Sequence, residues 1–253
     1  MYPQETVDSA LRLHRQGLTD AAVARACGVS VRTVRHWRWG TRRAPDTVRG
    51  RPQPTCGDAH GNVASESYSY LLGLYLGDGH IISKSRQHTL TVSCCDGWPG
   101  LIEEAARAMR IVMPCAAVGY VQRSGCTDVK SYSRHWPCLF PQHGPGRKHE
   151  RPIILESWQR DIVRAEPWAL VRGLIHSDGC RNVNRTTRMV AGERKRYEYP
   201  RYLFANESTD VMRILTTTLD ELGVEWKFAR RNLLSVARRG SVALMDRHIG
   251  PKY

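Results

Sequence analysis

The sequence contains Leu71-Leu72-Gly73-Leu74-Tyr75-Leu76-Gly77-Asp78-Gly79, and it repeats this pattern as Val171-Arg172-Gly173-Leu174-Ile175-His176-Ser177-Asp178-Gly179. In both copies an apolar segment contains a glycine and ends in a small residue, an aspartate and a second glycine. Asp78 and Asp178 are 100 residues apart. A repeat of this length predicts two similar subdomains, because solenoid repeats have periods of about 20–50 residues.

Each copy predicts the last turns of a helix with one face formed only by small residues. Gly73 and Gly77 are four residues apart, as are Gly173 and Ser177, so each pair lies on one side of its helix. Small residues at this spacing let two backbones approach closely. We therefore expect these two faces to pack against each other as a helix seam.

The two aspartates are expected at the C-terminal ends of these helices, because Gly79 and Gly179 suit the left-handed residue that follows a helix. The helix dipole is negative there, which disfavours a carboxylate and favours a cation. Two acids held together need a counter-ion, and a hard divalent metal with oxygen ligands is the expected one. The alternative is that both acids only cap turns.

This double motif resembles the LAGLIDADG homing endonucleases in their single-chain, two-repeat form, over residues 67–250. The resemblance implies an α+β, pseudo-two-fold duplicated αββαββα fold, with repeat one at 67–145 and repeat two at 155–250. It also implies a staggered, metal-dependent double-strand cut at a long target site. The implied cofactor is Mg²⁺, with Mn²⁺ as a substitute, held by Asp78, Asp178, Gly77 and Ser177.

The resembled family also uses basic residues near the metal, in less fixed positions. Lys130 and Lys227 follow their aspartates by 52 and 49 residues and are therefore matched as candidates for catalysis. Lys148, in a basic connector rich in turn residues, is a rival candidate. Each of the three can instead contact a phosphate or remain a solvated charge.

The hairpins that follow the two motifs are expected to read bases, since Asn and Arg commonly recognise adenine and guanine edges. The candidates lie on the predicted strands: His80, Lys84, His88, Thr89 and Thr91 in repeat one, and Arg181, Asn182, Asn184, Arg188 and Arg201 in repeat two. The tip at residues 193–196 is expected to be a phosphate clamp or a mobile loop.

The N-terminal residues 1–44 predict a small all-α helix-turn-helix domain. Thr19 can cap a helix that ends at Gly28, and Ser30 can cap a third helix on which Val34 and Trp37 face back. The DNA-contacting residues on that helix are then Arg32, Thr33, Arg35 and His36. A three-helix interaction module is the alternative.

Residues 45–66 predict a linker, because proline and glycine are frequent there and apolar residues are scarce. Cys56 and His60 form a C-x-x-x-H pair in this segment. No second pair lies near them, so zinc binding is the weaker interpretation.

The composition indicates a partner with many negative charges. The chain has 253 residues, with 38 basic and 24 acidic residues and a net charge of +14, and its pI is about 9.8. This balance suits double-stranded DNA, and an anionic membrane surface is the other candidate. No apolar stretch approaches the length of a membrane span. We expect a cytoplasmic, bacterial, nucleoid-associated monomer.

The position of the helix-turn-helix before the nuclease-like repeats leaves a second function open. A family of bacterial transcription regulators joins a helix-turn-helix to a decayed LAGLIDADG fold, in which the acids are typically lost. Both acids are present here, which favours the endonuclease over the regulator.

Overall fold

The computed structural model describes residues 2–38, 63–84 and 87–253, without the side chain of Lys84. Contacts divide the chain into two compact units, Met1–Gln53 and Pro54–Tyr253. The predicted linker lies mostly outside the described residues, and so does the Cys56–His60 pair. In the described part of the chain, no helix is both long and apolar enough to cross a membrane.

The N-terminal unit consists of three helices: α1 (Gln4–Arg15), α2 (Asp20–Cys27) and α3 (Val31–Arg38). Thr19 caps α2 by accepting from the backbone N–H of Ala22, and Gly28 ends it with φ 65°. Ser30 caps α3 by accepting from the backbone N–H of Thr33 at 3.1 Å. Val34 and Trp37 are buried against the other two helices, as the sequence predicted.

The second unit contains two repeats of one element order. The first repeat has α4 (Ser65–Leu76), β1 (Gly79–Lys84), β2 (Gln87–Cys95), α5 (Pro99–Val112), β3 (Val118–Arg123), β4 (Cys126–Ser133) and α6 (Trp136–Leu139). A connector follows with a short 3-10 turn (Lys148–Glu150) and α7 (Ser157–Ala165). The second repeat has α8 (Pro167–Asp178), β5 (Gly179–Val190), β6 (Glu193–Ala205), α9 (Thr209–Glu221), β7 (Lys227–Arg230), β8 (Leu233–Val236) and α10 (Arg239–His248).

This order confirms the duplicated αββαββα fold. Each repeat forms a four-stranded antiparallel sheet, in the orders β1-β2-β4-β3 and β5-β6-β8-β7. The sheets have equivalent topology and differ in size, because β5 and β6 pair over 12 residues from Gly179 to Val190, whereas β1 and β2 pair over six.

The core of the second unit surrounds α4 and α8. Residues 68–76 of α4 are all buried, which is expected of a helix that is apolar on every side. One face of each sheet packs against this core through side chains such as Leu90, Val129, Phe204 and Leu234. The opposite face of each sheet, called the outer face below, carries the intervening residues of the same strands.

Candidate active site

The two motif helices contact each other backbone to backbone along the predicted seam. A Cβ atom added to Gly73 would lie 2.5 Å from the carbonyl oxygen of Leu170 and 2.8 Å from the Cα of Gly173. A Cβ atom on Gly173 would overlap the carbonyl oxygen of Tyr70, and one on Gly77 would overlap the side chain of Ser177. Only small residues fit here, which explains their spacing in both motifs.

Gly79 and Gly179 do not have the left-handed conformation that the sequence analysis expected. Gly179 is extended, with φ −106° and ψ 169°, and Gly79 begins strand β1. Their small size serves a different purpose, since a Cβ atom would lie 2.5 Å from the Cα of Tyr75 or 2.7 Å from the Cα of Ile175. In each repeat the backbone therefore passes close to the last turn of its own motif helix as it enters the sheet.

The seam brings the two aspartates together. Asp78 follows α4 and Asp178 is the last residue of α8. Asp78 is partly open to solvent. Its pKa is nevertheless raised to about 6, mainly by burial and secondly by the charge of Asp178. Burial also raises the pKa of Asp178. Both shifts show that the nearby positive charges do not fully offset the effect of burial on these carboxyl groups.

Two lysines contact the backbone at the ends of these helices. The ammonium of Lys148 lies within hydrogen-bond distance of four carbonyl oxygens, which share its three N–H donors: those of Tyr75 (2.6 Å), Leu76 (3.0 Å), Gly79 (2.8 Å) and Gly77. Burial lowers the pKa of Lys148 to about 8, although Asp178 and Asp78 act in the opposite direction. The sequence analysis had named Lys148 only as a rival candidate.

Lys252 occupies the corresponding place in the second repeat, and the sequence analysis missed it. Its ammonium donates to the carbonyl oxygens of Gly179 at 2.6 Å and Ser177 at 3.3 Å. Burial lowers its pKa, while the charge of Asp78 raises it. One signal was present in the sequence, because Lys148 and Lys252 follow their aspartates by the similar distances of 70 and 74 residues.

The two carboxylates have different neighbours at equivalent positions. Gly79 pairs with Val92 and Gly179 pairs with Phe204, so Cys94 and Asn206, each two residues further on, correspond. Asn206 donates its side-chain amide to Asp178 Oδ2 at 2.6 Å. The Cys94 thiol remains protonated near Asp78, because burial raises its pKa to about 12. The first carboxylate therefore lacks the amide that orients the second.

The donor atoms at this place suit a hard divalent cation. Asp78 and Asp178 supply carboxylate oxygens, and the carbonyl oxygens of Gly77 and Ser177 already face positive ammonium groups. Among the described residues, no group of three or more His, Cys, Asp and Glu side chains is arranged to hold a metal. An ion here would complete its coordination with water or substrate oxygens, as Mg²⁺ commonly does.

This place opens into a cavity of about 650 Å³ lined by both repeats. The lining includes Gly77, His80, Lys148 and Asp178, together with Asn206 from the end of the second hairpin. Polar groups from both motifs therefore reach one space, and a bound molecule could contact both repeats at once.

The matching of Lys130 with Lys227 was wrong, because the two lysines lie on strands that do not correspond. Across the first sheet the outer-face row two residues past Asp78 contains His80, Thr91, Lys130 and Gly119. The corresponding row past Asp178 contains Cys180, Leu203, Ser235 and Lys227. Lys130 therefore corresponds to Ser235 and Lys227 to Gly119, although each row carries one lysine.

Lys130 is engaged in the sheet rather than with the aspartates of the motifs. Its ammonium lies 3.2 Å from Asp128 Oδ2, and Asp128 also binds Arg123 at 2.5 Å and Ser93 at 2.7 Å. Lys227 is exposed on its strand. Lys148 and Lys252 are thus the lysines whose charges reach Asp78 and Asp178.

In the first hairpin, the proposed base-reading residues lie on both faces of the sheet. His80 and Lys84 alternate along β1 on the outer face, with the position of Lys84 given by its backbone. His88 pairs with Ser83 on the core-side face and is hydrogen-bonded to the Ser83 hydroxyl at 2.9 Å. His88 and His80 therefore lie on opposite faces of the first sheet.

The long second hairpin separates its proposed readers in the same way. Residues sharing the outer face are Asn182, Asn184, Arg188 and Arg201. Arg181 lies on the opposite face, where it forms two hydrogen bonds of 2.7 and 2.9 Å with Asp246 of α10. Arg181 anchors the base of the hairpin to the helix layer, on the face away from the other proposed readers.

The third helix of the N-terminal unit presents its proposed contact residues on the exposed side. Arg32, Arg35 and His36 are exposed, whereas the Thr33 hydroxyl lies 2.8 Å from that of Ser30. Arg35 and Arg38 are both paired with Asp20, at 3.4 and 3.0 Å. Asp20 therefore fixes two of the cations on this surface.

Residues 9–42 match a family model described as a homeodomain-like domain. This match agrees with the three-helix N-terminal unit and supports the helix-turn-helix prediction. It covers a small part of the chain. The comparison with curated proteins gives no significant match to the sequence.

Solved structures of homing endonucleases resemble this chain in shape. The structure of I-DmoI in complex with DNA and Mn has 14% identity and a TM-score of 0.48, over 75% of this chain and 99% of that one. I-WcaI bound to its DNA recognition sequence has 13% identity and a TM-score of 0.49, over 80% and 90%. The LAGLIDADG meganuclease I-AabMI bound to uncleaved DNA has 10% identity and a TM-score of 0.46, over 72% and 82%.

Proposed function

We propose that this chain is a site-specific DNA endonuclease that makes a staggered double-strand cut with Mg²⁺. One observation carries the proposal: the seam places Asp78 and Asp178 side by side, with a lysine at the end of each motif helix. Like charges brought together at the negative ends of two helices cost stability unless a cation joins them. A pair of this kind is typical of a catalytic metal site.

The residues that would hold the cation are the two aspartates, with the carbonyl oxygens of Gly77 and Ser177. A bound divalent ion lowers the pKa of a coordinated water and stabilises the charge that develops on a phosphodiester. Asn206 fixes the orientation of Asp178 through its 2.6 Å hydrogen bond. The internal pseudo-symmetry assigns one carboxylate to each DNA strand, so a monomer suffices for a double-strand cut.

Lys148 and Lys252 add positive charge where a scissile phosphate would approach. Each ammonium is held by backbone carbonyls rather than by the carboxylates, so the carboxylate oxygens stay available to a metal. Fixed cations in a partly buried site stabilise developing negative charge without reorganising during the reaction. We assign to these two lysines the role first considered for Lys130 and Lys227, which we reassign to contacts with DNA.

The outer faces of the two sheets supply a long recognition surface. Alternating residues such as His80, Asn182, Asn184 and Arg201 are the candidates for base contacts, and Lys84, Lys130 and Lys227 for phosphate contacts. The N-terminal helix-turn-helix, through Arg32, Thr33, Arg35 and His36, adds a tethered second contact. A tethered module raises the effective concentration of the main site on its DNA.

The test begins with selection of bound duplexes from a random DNA pool in the presence of a chelator, followed by insertion of the selected site into a supercoiled plasmid. We expect linear product with Mg²⁺ or Mn²⁺ and none with the chelator. Asp78→Asn and Asp178→Asn should abolish cutting of one strand or both while duplex binding persists. Asp161→Asn is the matched control, because Asp161 is an exposed carboxylate on α7. Full cleavage by either motif variant would refute the assignment.

The second candidate function is a helix-turn-helix regulator with an inactive LAGLIDADG-like domain. One observation favours it: Lys148 and Lys252 already place two positive charges near the carboxylates, so the fold does not require an ion for neutrality. A regulator would bind the selected duplex without cutting it under every metal condition. The plasmid assay therefore separates the two functions directly.

A further inference from the structure

Two cysteines face each other across neighbouring strands of the first sheet. Cys95 ends β2, Cys126 begins β4, and the antiparallel register pairs them directly. Both thiols are free in the structure, with Cys95 exposed and Cys126 partly exposed. A small reagent from solution can therefore reach at least one member of the pair.

The hydrogen bonding at the end of these strands identifies the type of pair. The backbone N–H of Asp96 donates to the carbonyl oxygen of Gly125 at 3.2 Å, so the adjacent pair, Cys95 and Cys126, is non-hydrogen-bonded. In such a pair the Cα atoms are typically ~4.5 Å apart and the side chains are at their closest. Disulfides span Cα separations of ~4.4–6.8 Å, so the backbone already has a separation that a bridge can close.

The alternation of the strand also selects which thiol takes part. Cys95 and Cys126 point to the outer face, because they continue the alternation of Ser93 and Asp128. Cys94 points to the other face and is buried in the core. In the second repeat, the exposed Cys180 pairs with Leu203 and so has no thiol opposite it.

We propose that Cys95 and Cys126 form an oxidation-sensitive dithiol that a small-molecule disulfide, such as oxidised glutathione, converts into a cross-strand disulfide. In the first step a Cys95 thiolate attacks one sulfur of glutathione disulfide, which releases one glutathione thiolate and leaves a mixed disulfide. In the second step the Cys126 thiolate displaces the other glutathione. Each departing glutathione takes up one of the two protons, and the electron pair lost by the protein reduces the glutathione disulfide.

The bond would fasten the end of β2 to the start of β4 beside Arg123, which pairs with Cys126 from β3. A bridge that fits the native register stabilises a fold mainly by restricting the unfolded chain. Oxidation is therefore expected to raise the melting temperature of the folded chain. This inference concerns the sheet alone and does not depend on nuclease activity.

The test incubates the full-length chain with oxidised glutathione at mildly alkaline pH, followed by acid quenching, alkylation of remaining thiols and peptide mass mapping. We expect Cys95 and Cys126 to lose their reactivity together and to appear in one cross-linked peptide pair. With Cys126→Ser, Cys95 should stop at the mixed disulfide with glutathione. The exposed Cys180 is the internal control, since it should form only a mixed disulfide.

Two results would overturn the proposal. One is a wild-type chain in which Cys95 carries glutathione while Cys126 remains fully alkylatable. The other is a cross-link from Cys95 to a different cysteine. A melting temperature that rises on oxidation of the wild type and stays constant in Cys95→Ser would support it independently of peptide recovery.

Discussion

Adding one methyl group at Gly73 should separate the two motif helices. The new Cβ atom would lie 2.5 Å from the carbonyl oxygen of Leu170 and 2.7 Å from the backbone nitrogen of Leu174, whereas ordinary contact begins at 3.4 Å. The obstructing atoms belong to the backbone, so no side-chain rotation relieves the overlap. The helices must therefore move apart by about 0.9 Å at this point.

The cost of Gly73→Ala follows from that displacement. Overpacking a tightly packed interior typically costs about 1–3 kcal/mol. For a unit of this size each kcal/mol corresponds to roughly 2–4 °C in melting temperature. The same movement shifts Asp78 relative to Asp178, and a misplacement of about 1 Å can reduce catalysis ~100-fold. We therefore expect lower stability and a severe loss of cleavage in one variant.

Calorimetry and the plasmid cleavage assay measure these two effects. Gly240→Ala is the matched control, because Gly240 lies within α10 and a Cβ atom there would have no neighbour within 4 Å. Because Gly240 is the second residue of α10, alanine there should leave the melting temperature close to that of the unmodified chain. If Gly73→Ala instead melts and cuts like the unmodified chain, the motif helices do not meet as described.

Three further perturbations probe the same site. Gly77→Ala should lose cleavage because its Cβ atom overlaps the Ser177 side chain. The double variant Gly77→Ala with Ser177→Gly should recover cleavage in the plasmid assay, and a double variant that cuts no better than Gly77→Ala would contradict this explanation. Burial and Asp178 raise the pKa of Asp78 to about 6, so the folded chain binds this proton more tightly than the unfolded chain does, and stability is lost as pH rises from about 4 to 6. In the presence of a chelator, Asp78→Asn should therefore show a smaller fall in melting temperature over that range, and identical pH profiles would count against the coupling. Lys148→Met should slow cutting about 100-fold at saturating DNA, whereas Lys227→Met should mainly reduce the salt dependence of binding; equal cleavage defects would argue against the assignment of Lys148.

The sequence by itself determined the features that depend on local spacing. Four-residue spacing of small side chains located the seam at Gly73, Gly77, Gly173 and Ser177, and the capping residues Thr19 and Ser30 located helix starts. The order of helices and strands, which the family resemblance implied, was confirmed in both repeats. The two aspartates were found because the motif that holds them is continuous in the chain.

Only the tertiary structure decided which residues from separate segments surround those aspartates. Lys252 and Asn206 reach the site from segments that carry no motif, and Lys148 was preferred to Lys130 only through its backbone contacts. The side of the sheet on which Arg181 and His88 lie also had to be observed. The reason is physical: a shift of one residue in strand register moves every side chain to the other face. In these hairpins the register is fixed by the turn that joins the two strands, and the residue pattern alone did not define that turn.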